Sequence, residues 1–323
     1  MKSNFEIVEK NQQSLFYELQ IKNNLTGEYI NILPNLGARL NAAYLKSNEQ
    51  LIPVIKELKN KKLKSNDEKF NNAKLFPFAN RIRKGRYSFN NKVYELPVNY
   101  VEEENSCHGF LYDLQFKVIS KNIFNDFAEI KFGFTPENKY EGYPFCFDMK
   151  ITHRLKTSCE IETTTEIFNS SETELLFSDG WHPYYCLSDS ADNYNLTFNA
   201  AEKLELDDHN IPNGNVININ GRVHHKINLK NKNLDDLFRF SLSNKINFIE
   251  IVPNDSDHKI KIWHEAGENK YNYLVLYIPP DRRSIAVEPM TSSIDAFNNK
   301  EGLIILKPGE YWSASMGFSL HKK

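Results

Sequence analysis

The chain has 323 residues, 40% of them hydrophobic, which is enough for one large domain with a packed core. Its formal net charge of -2 and sequence pI near 6.5 provide no overall basic field for nucleic acid or anionic lipid. The N-terminus lacks the apolar run of a signal peptide, and no later stretch is long and apolar enough to span a bilayer. We therefore expect a cytoplasmic protein with neither nucleic acid nor membrane as a partner.

Alternation of apolar and polar residues predicts β-strands along most of the chain. Residues 86–89 and 93–96 flank Asn90-Asn91-Lys92, a composition that tolerates positive φ and favours a hairpin turn. Further alternating or β-rich runs lie at 128–134, 145–155, 161–167, 194–198, 216–219, 248–252, 260–263, 273–278 and 312–320. About a dozen strands are predicted in this way. Because no internal repeat or linker divides the chain, we expect residues 1–323 to form a single all-β domain, a large antiparallel β-sandwich.

Residues 47–74 have a different composition. Six of the seven lysines of this segment are crowded among glutamate and asparagine residues: Lys56, Lys59, Lys61, Lys62, Lys64 and Lys69. Such a charged segment is typical of solvent-exposed structure. It predicts a solvated helix or a long loop inserted between strands.

Four short motifs, far apart in sequence, contain the residues best suited to acid–base chemistry. They are Asn80-Arg81-Ile82, His108-Gly109-Phe110, Trp181-His182-Pro183-Tyr184 and Val287-Glu288-Pro289. Histidine has an unperturbed pKa of about 6.5 and exchanges a proton readily near neutrality. Pro183 pushes the preceding His182 toward an extended backbone, which holds the imidazole at a strand edge. Burial after an apolar strand would raise the pKa of Glu288 and a nearby Arg81 would lower it, and the sequence leaves that balance open.

Each of these residues also has a purely structural interpretation. His182 is adjacent to aromatic residues and would suit a packed core, whereas a glutamate at a strand end is common on any surface. Asp235 could accept hydrogen bonds from hydroxyl groups or cap a helix, and Asp236 could exchange roles with it. Aromatic side chains can cover the C–H face of a ligand or fill the core, and the candidates are Trp181, Tyr184 and Phe297.

The cysteines give no sign of a metal centre. Cys107, Cys146, Cys159 and Cys186 form no C-x-x-C pair, and neither Cys107-His108 nor His182 with Cys186 supplies three or four convergent ligands. We therefore expect no metal.

Taken together and in this order, the motifs resemble those of the aldose 1-epimerases, or mutarotases. Residues 75–82 leading into 85–87 are similar to an early signature of that family, and residues 180–185 are similar to a central one. The similarity extends from residues 35–40 to residues 306–310. It implies a galactose mutarotase-like β-sandwich, called a supersandwich, with a cleft on one face.

The resemblance also implies an activity and a role for each site residue. Glu288 would act as the catalytic base and His182 as the catalytic acid. Arg81, His108 and Asp235 would hold the sugar, and Asn80, beside Arg81 in the same motif, is expected to bind it as well. The reaction would open and close the ring of a free hexose and so interconvert its anomers without a cofactor or metal. The expected partner is a monosaccharide substrate, and the expected assembly is a monomer or a homodimer.

Two alternatives remain at this stage. Phe110 stands where galactose-acting members usually have glycine, and in this it resembles the matching position of the hexose-6-phosphate 1-epimerases. In a protein of that kind, arginines would bind the phosphate, and the candidates are Arg81, Arg83, Arg86, Arg282 and Arg283. The other alternative is a carbohydrate-binding protein without catalysis. The His182-Pro183-Tyr184 sequence favours the unphosphorylated branch, and the presence of both Glu288 and His182 favours an enzyme.

Overall fold

The structure is a computed structural model that describes residues 3–10, 17–58, 69–137, 139–219 and 225–323. Within these ranges the chain forms 28 strands, which are numbered in chain order. The first fourteen are β1 Phe5–Lys10, β2 Glu18–Asn23, β3 Tyr29–Leu33, β4 Arg39–Ser47, β5 Gln50–Pro53, β6 Lys74–Leu75, β7 Arg81–Arg83, β8 Arg86–Phe89, β9 Lys92–Glu95, β10 Asn105–Cys107, β11 Lys117–Ile123, β12 Phe127–Phe134, β13 Asp148–Lys156 and β14 Glu160–Phe168.

The remaining fourteen are β15 Leu175–Phe177, β16 Gly180–Trp181, β17 Tyr184–Tyr185, β18 Tyr194–Phe198, β19 Glu202–Leu206, β20 Pro212–Asn218, β21 His225–Asn228, β22 Asp235–Arg239, β23 Ile246–Pro253, β24 His258–Glu265, β25 Tyr273–Tyr277, β26 Ile285–Met290, β27 Ile304–Leu306 and β28 Tyr311–Lys322. A short α-helix, α1, spans Ala296–Asn299, and two 3-10 turns span Leu111–Asp113 and Ala191–Asn193.

The described strands form two large antiparallel sheets and several smaller ones. The larger sheet has nine strands in the order β11-β12-β13-β14-β28-β24-β23-β18-β21. The second has eight, in the order β20-β19-β22-β25-β26-β16-β6 with β17 also paired to β26. Strands β1 to β5 form a meander, and two-stranded ribbons join β7 to β10, β8 to β9 and β15 to β27.

The two large sheets pack face to face. In β14 buried and partly exposed residues alternate along the whole strand, so one face of the nine-stranded sheet is directed into the core. Phe198 of β18 meets Phe238 of β22 with ring centroids 5.0 Å apart, and Tyr185 of β17 meets Phe318 of β28 at 5.4 Å. These contacts join the inner faces of both sheets and confirm the predicted antiparallel β-sandwich.

The predicted hairpin is present and its turn has the expected backbone. Asn90 and Asn91 have φ of 48° and 60°, and Phe89 pairs with Lys92 across them. Asparagine tolerates the left-handed conformation, and a two-residue turn with positive φ at both positions matches the twist of the strands.

The lysine-rich segment differs from its prediction. Gln50–Pro53 forms a strand, and Val54, Ile55 and Phe70 are buried, because apolar residues are interspersed with the charged ones. A solvated helix or loop is therefore wrong for that part, whereas residues 59–68 lie outside the described ranges. The number of strands also exceeds the predicted dozen, since strands of two or three residues such as β16 are too short to show a period.

A single domain over residues 1–323 and a monomeric or dimeric state stay predictions. Of the helices in the described ranges, none has the length and hydropathy that crossing a membrane requires.

Candidate active site

A cavity of about 250 Å³ contains all six residues that the sequence singled out, namely Asn80, Arg81, His108, His182, Asp235 and Glu288. Five further residues line it: Phe70, Tyr100, Glu103, Tyr184 and Tyr277. Of these five, the sequence had indicated only Tyr184. The cavity thus collects side chains from the four motifs, from strands β22 and β25 and from the segments that carry Phe70 and Glu103.

Two of the motifs are joined by backbone hydrogen bonds beside the short ribbon of β7 and β10. Asn80 and His108 have φ of 62° and 67°. The His108 amide donates to the Asn80 carbonyl at 3.0 Å, and the Asn80 amide donates to His108 Nδ1 at 3.3 Å. Because Nδ1 accepts a hydrogen bond, neutral His108 carries its proton on Nε2. His108 is therefore a hydrogen-bond donor within the cavity.

His182 lies between β16 and β17, where the chain crosses from one short strand to the next. Its amide donates to the Ala73 carbonyl and its carbonyl accepts from the Asn72 amide, both at 3.0 Å. The ring stacks on Tyr184 with centroids 4.8 Å apart and planes inclined by 17°. Backbone and ring are thus both fixed, and the imidazole is held in one orientation.

Glu288 lies in the middle of β26 and contacts this imidazole. Its Oε1 is 3.2 Å from His182 Nε2, and only 2% of the residue is exposed. Burial raises the pKa of Glu288 well above its usual value, Asp235 adds to the effect and Arg81 opposes it. Burial also lowers the pKa of His182 to about 3. Burial therefore outweighs the opposing charge of Arg81, and the two pKa shifts place a proton on the carboxyl group in preference to the imidazole.

One oxygen of the glutamate remains available. Among the described residues, none forms a hydrogen bond with the buried Glu288 Oε2. A buried carboxyl oxygen without a partner is uncommon, because desolvation without a hydrogen bond is costly. A hydroxyl group of a bound ligand can supply the missing hydrogen bond.

His108, His182 and Glu288 have nitrogen and oxygen atoms within 4.8 Å of one another, a spacing that would suit a divalent cation. The hydrogen bond from the Asn80 amide opposes this use, since a metal on His108 Nε2 would place a proton on Nδ1 against that amide. Burial lowers the pKa of His108 well below its usual value, which favours a neutral ring that accepts a hydrogen bond at Nδ1 and can donate one to a ligand at Nε2. The donor set therefore fits a hydroxyl-bearing ligand better than a metal.

Arg81 is held by acidic and amide groups on several sides. Its Nε donates to Glu103 Oε2 at 2.5 Å and its Nη2 to Glu103 Oε1 at 3.2 Å. Its Nη1 donates to Asn80 Oδ1 at 2.9 Å, and its Nη2 approaches Asp235 Oδ2 at 3.5 Å. The Tyr100 ring covers one face of the guanidinium, with its centroid 5.6 Å away.

The structure also separates the two adjacent aspartates. Asp235 begins β22 and faces the cavity, whereas Asp236 pairs with Lys203 at 2.8 Å. Neighbouring residues of a strand point to opposite faces, so one of the two had to face away. The choice of Asp235 over Asp236 agrees with this placement.

The three candidate aromatic residues separate in the same way. Tyr184 lines the cavity. Phe297 packs in the core against Phe78 and Tyr87, with ring centroids 5.7 and 4.8 Å away. Trp181 lies behind the cavity with Lys74 Nζ 4.5 Å from its ring centroid. Phe297 and Trp181 are therefore packing residues.

A buried ion pair supports the segment that leads into His182. Lys74 of β6 donates to Asp179 at 2.6 Å, and Tyr271 donates to the same carboxylate oxygen at 2.8 Å. Both charged side chains are fully buried. Burial lowers the pKa of Lys74 to about 8 although Asp179 opposes the shift. The pair fixes β6 against the chain just before Gly180–Trp181.

The arginines proposed for a phosphate clamp do not converge. Arg81 alone of the five lines the cavity among the described residues. Arg83 pairs with Asp207 at 2.5 Å and Arg282 with Asp192 at 2.6 Å, while Arg86 and Arg283 are exposed.

Comparisons with known proteins agree with this architecture. The profile of the aldose 1-epimerase family matches residues 19–319, and the chain therefore belongs to that family. It is 28% identical to an aldose 1-epimerase of Streptococcus thermophilus over 273 residues, 74% of this chain and 76% of the relative.

Two solved structures share the fold at lower identity. A galactose mutarotase-like protein of Clostridium acetobutylicum superimposes with a TM-score of 0.83 at 23% identity, covering 99% of both chains. The galactose 1-epimerase of Lactobacillus acidophilus gives 0.77 at 18% identity, covering 100% of this chain and 99% of the other. The fold is thus galactose mutarotase-like, as the sequence predicted.

Proposed function

We propose that this protein is a 1-epimerase of free aldoses, which interconverts the α and β anomers by opening and closing the sugar ring. The observation that carries the proposal is the contact of 3.2 Å between the buried Glu288 carboxyl and the His182 imidazole inside the cavity. The cavity volume of about 250 Å³ suits a ligand smaller than the drug-sized molecules that occupy roughly 300–1,000 Å³.

The pair can perform both proton transfers of the reaction. In the proposed cycle the proton of Glu288 first passes to His182, which gives a carboxylate and an imidazolium without changing the net charge. Glu288 then removes the proton of the anomeric hydroxyl while His182 donates one to the ring oxygen, so that the C1–O5 bond breaks and the aldehyde forms. Rotation about C1–C2 exposes the other carbonyl face. Ring closure reverses both transfers and releases the other anomer.

The remaining lining residues support binding of the sugar. His108 Nε2 can donate and Asp235 can accept a hydrogen bond, which matches hydroxyl groups that do both. Tyr184 and Phe70 provide apolar surface. The family membership and the similarity to an aldose 1-epimerase of Streptococcus thermophilus support an epimerase. A purely carbohydrate-binding protein would not require a carboxyl group and an imidazole in mutual contact.

The charges of the site favour a free sugar over a phosphorylated one. Arg81 is already engaged by Glu103 and Asp235, and the other arginines of the hypothetical clamp pair elsewhere or are exposed. A phosphate needs unengaged donors such as a bidentate guanidinium. These contacts support the unphosphorylated substrate.

Polarimetry of freshly dissolved sugars tests the proposal. We expect the purified protein to accelerate the approach of α-D-glucose or α-D-galactose to anomeric equilibrium, and to act less on glucose 6-phosphate. Acceleration confined to glucose 6-phosphate would favour the phosphorylated-sugar alternative. Binding of a sugar without acceleration would favour the carbohydrate-binding alternative.

A further inference from the structure

We propose that Glu103 determines the substrate class of this site, by occupying the guanidinium of Arg81 so that the cavity selects neutral aldoses and excludes anionic ones such as uronates. The proposal rests on the proposed function and extends it to a residue that no motif indicated. Glu103 lies in the turn between Tyr100 and Asn105, outside all four motifs.

The guanidinium of Arg81 is already hydrogen-bonded to side chains of the protein. Each nitrogen of its guanidinium donates a hydrogen bond within the protein, Nε and Nη2 to the two oxygens of Glu103 and Nη1 to Asn80 Oδ1. This bidentate pairing uses the same edge of the guanidinium that would bind a substrate carboxylate or phosphate. An anionic sugar would therefore compete with a carboxylate that is already in place.

Groups other than Arg81 also hold Glu103 in its position beside the guanidinium. Asn210 Nδ2 donates to Glu103 Oε1 at 3.1 Å. The turn itself is closed by reciprocal backbone hydrogen bonds of 3.0 Å between Tyr100 and Asn105. Burial alone would raise the pKa of Glu103, but the hydrogen bonds and charge of Arg81, with Asn210 and Asn105, lower it below the usual value. Glu103 is thus a fixed and ionised carboxylate.

The charged groups around the whole cavity also disfavour an anionic sugar. Three carboxyl groups line it, those of Glu103, Asp235 and Glu288, against the single guanidinium of Arg81 among the described lining residues. The nearby Lys56, 5.9 Å from the Tyr184 ring centroid, is paired with Asp281 at 2.8 Å. The carboxylate of an anionic sugar would add a further negative charge to a partly desolvated cavity whose guanidinium is already engaged, and this is strongly disfavoured. Neutral hydroxyl groups meet no such repulsion.

The test compares glucose with glucuronate, which differ by a carboxylate at C6. For the wild type and for Glu103→Gln, kcat/KM is measured for both sugars and their ratio is calculated. We expect the glucuronate-to-glucose ratio to rise by at least about tenfold in Glu103→Gln, because like-charge juxtaposition costs a factor of this size or more. The matched control is Glu102→Gln, which removes the same charge from an exposed neighbour in the same turn and should leave the ratio within about twofold of the wild type.

Two further variants keep the test decisive. Glu103→Asp retains the charge and should keep the preference for glucose, whereas Glu103→Ala should relax it as Glu103→Gln does, so the result does not depend on one variant that fails to fold. An unchanged ratio in both neutral variants would overturn the proposal. An equal rise in Glu102→Gln would also overturn it, because the effect would then come from net charge alone.

Equilibrium binding separates this proposal from the proposed function. The dissociation constants of glucose and glucuronate are measured by calorimetry with the same proteins. If the wild type binds glucose in preference to glucuronate and Glu103→Gln loses that preference, selection by Glu103 holds even if neither sugar is epimerised. If glucose is epimerised but the binding preference does not change in the variant, the epimerase stands and the role of Glu103 is rejected.

Discussion

Glu288 and His182 illustrate at the scale of single residues how burial determines chemistry. Water stabilises a carboxylate and an imidazolium, and its removal favours the neutral form of both groups. The pKa of Glu288 is therefore raised and that of His182 is lowered to about 3, although the two side chains are in contact. The proton of the pair therefore resides on the carboxyl group rather than on the imidazole, the reverse of what the ordinary pKa values of the two groups would give.

This arrangement predicts the pH dependence of the enzyme. Protonation of His182 would give the pair a second proton only as the pH falls toward 3, and loss of the remaining proton would occur only as the pH rises through the elevated pKa of Glu288. We therefore expect kcat/KM for glucose not to fall as the pH is lowered from 8 to 5, once the spontaneous reaction is subtracted, because a loss on the acid side needs protonation of His182. Polarimetric rates between pH 5 and 8, roughly one and a half units either side of the free histidine value, measure this. A loss of activity on the alkaline side would report the elevated pKa of Glu288, whereas a loss on the acid side centred near pH 6.5 would contradict the assignment of His182.

At the scale of elements, the turn that carries His108 depends on a close backbone approach. Gly109 has φ of 67°, and a Cβ atom there would lie 2.0 Å from the Phe76 carbonyl oxygen. The Phe110 amide donates to that same oxygen at 3.0 Å. The turn therefore lies directly on the segment that leads to Asn80, and glycine at position 109 allows this contact.

Gly109→Ala is accordingly expected to destabilise the fold more than an alanine at another left-handed glycine. Gly309 has φ of 77° and open space around a Cβ, so Gly309→Ala adds only the left-handed backbone cost of about 1–2 kcal/mol. Gly109→Ala adds the overlap with Phe76 and should cost about 1–3 kcal/mol more. Urea unfolding of both variants measures the difference. Equal free energies of unfolding would show that the approach to Phe76 is not a constraint.

Secondary-structure elements differ in how far their sequence alone predicts them. Long half-buried strands such as β13 and β14 carry a clear alternation, and the turn at Asn90-Asn91 has a distinctive composition. Strands β16 and β17 have two residues each and exist because β26 lies beside them. A period cannot be read from two residues, and pairing partners far along the chain are not visible in a local window.

The sequence predicted the motif residues of the site but not most of the other residues that line the cavity. The six predicted residues line one cavity, although their roles stay predictions. Phe70 was missed because it lies at the end of a segment dominated by lysine, and Glu103 because it is one of three consecutive glutamates in a polar turn. Tertiary contacts distinguish Glu103 from its neighbours, namely those with Arg81, 22 residues away in sequence, and with Asn210.

At the scale of the whole molecule, the sandwich brings together segments that are more than 200 residues apart. Phe70 precedes β6, Asp235 begins β22 and Glu288 lies in β26, yet all three line one cavity. The likeness to the Clostridium acetobutylicum structure, with a TM-score of 0.83 at 23% identity, shows that this architecture tolerates extensive substitution. Packing requires apolar residues of suitable volume at inward positions, and many sequences meet that requirement.

The role of Glu288 as the catalytic base is tested most directly by comparing how fast Glu288→Gln and the wild type bring galactose or glucose to anomeric equilibrium. Glutamine keeps the size of the side chain but cannot act as a base. We expect kcat to fall by about 10²–10⁴ while the dissociation constant of the sugar changes by only a few-fold. Turnover equal to that of the wild type would contradict the assignment of Glu288 as the base and remove this residue from the mechanism.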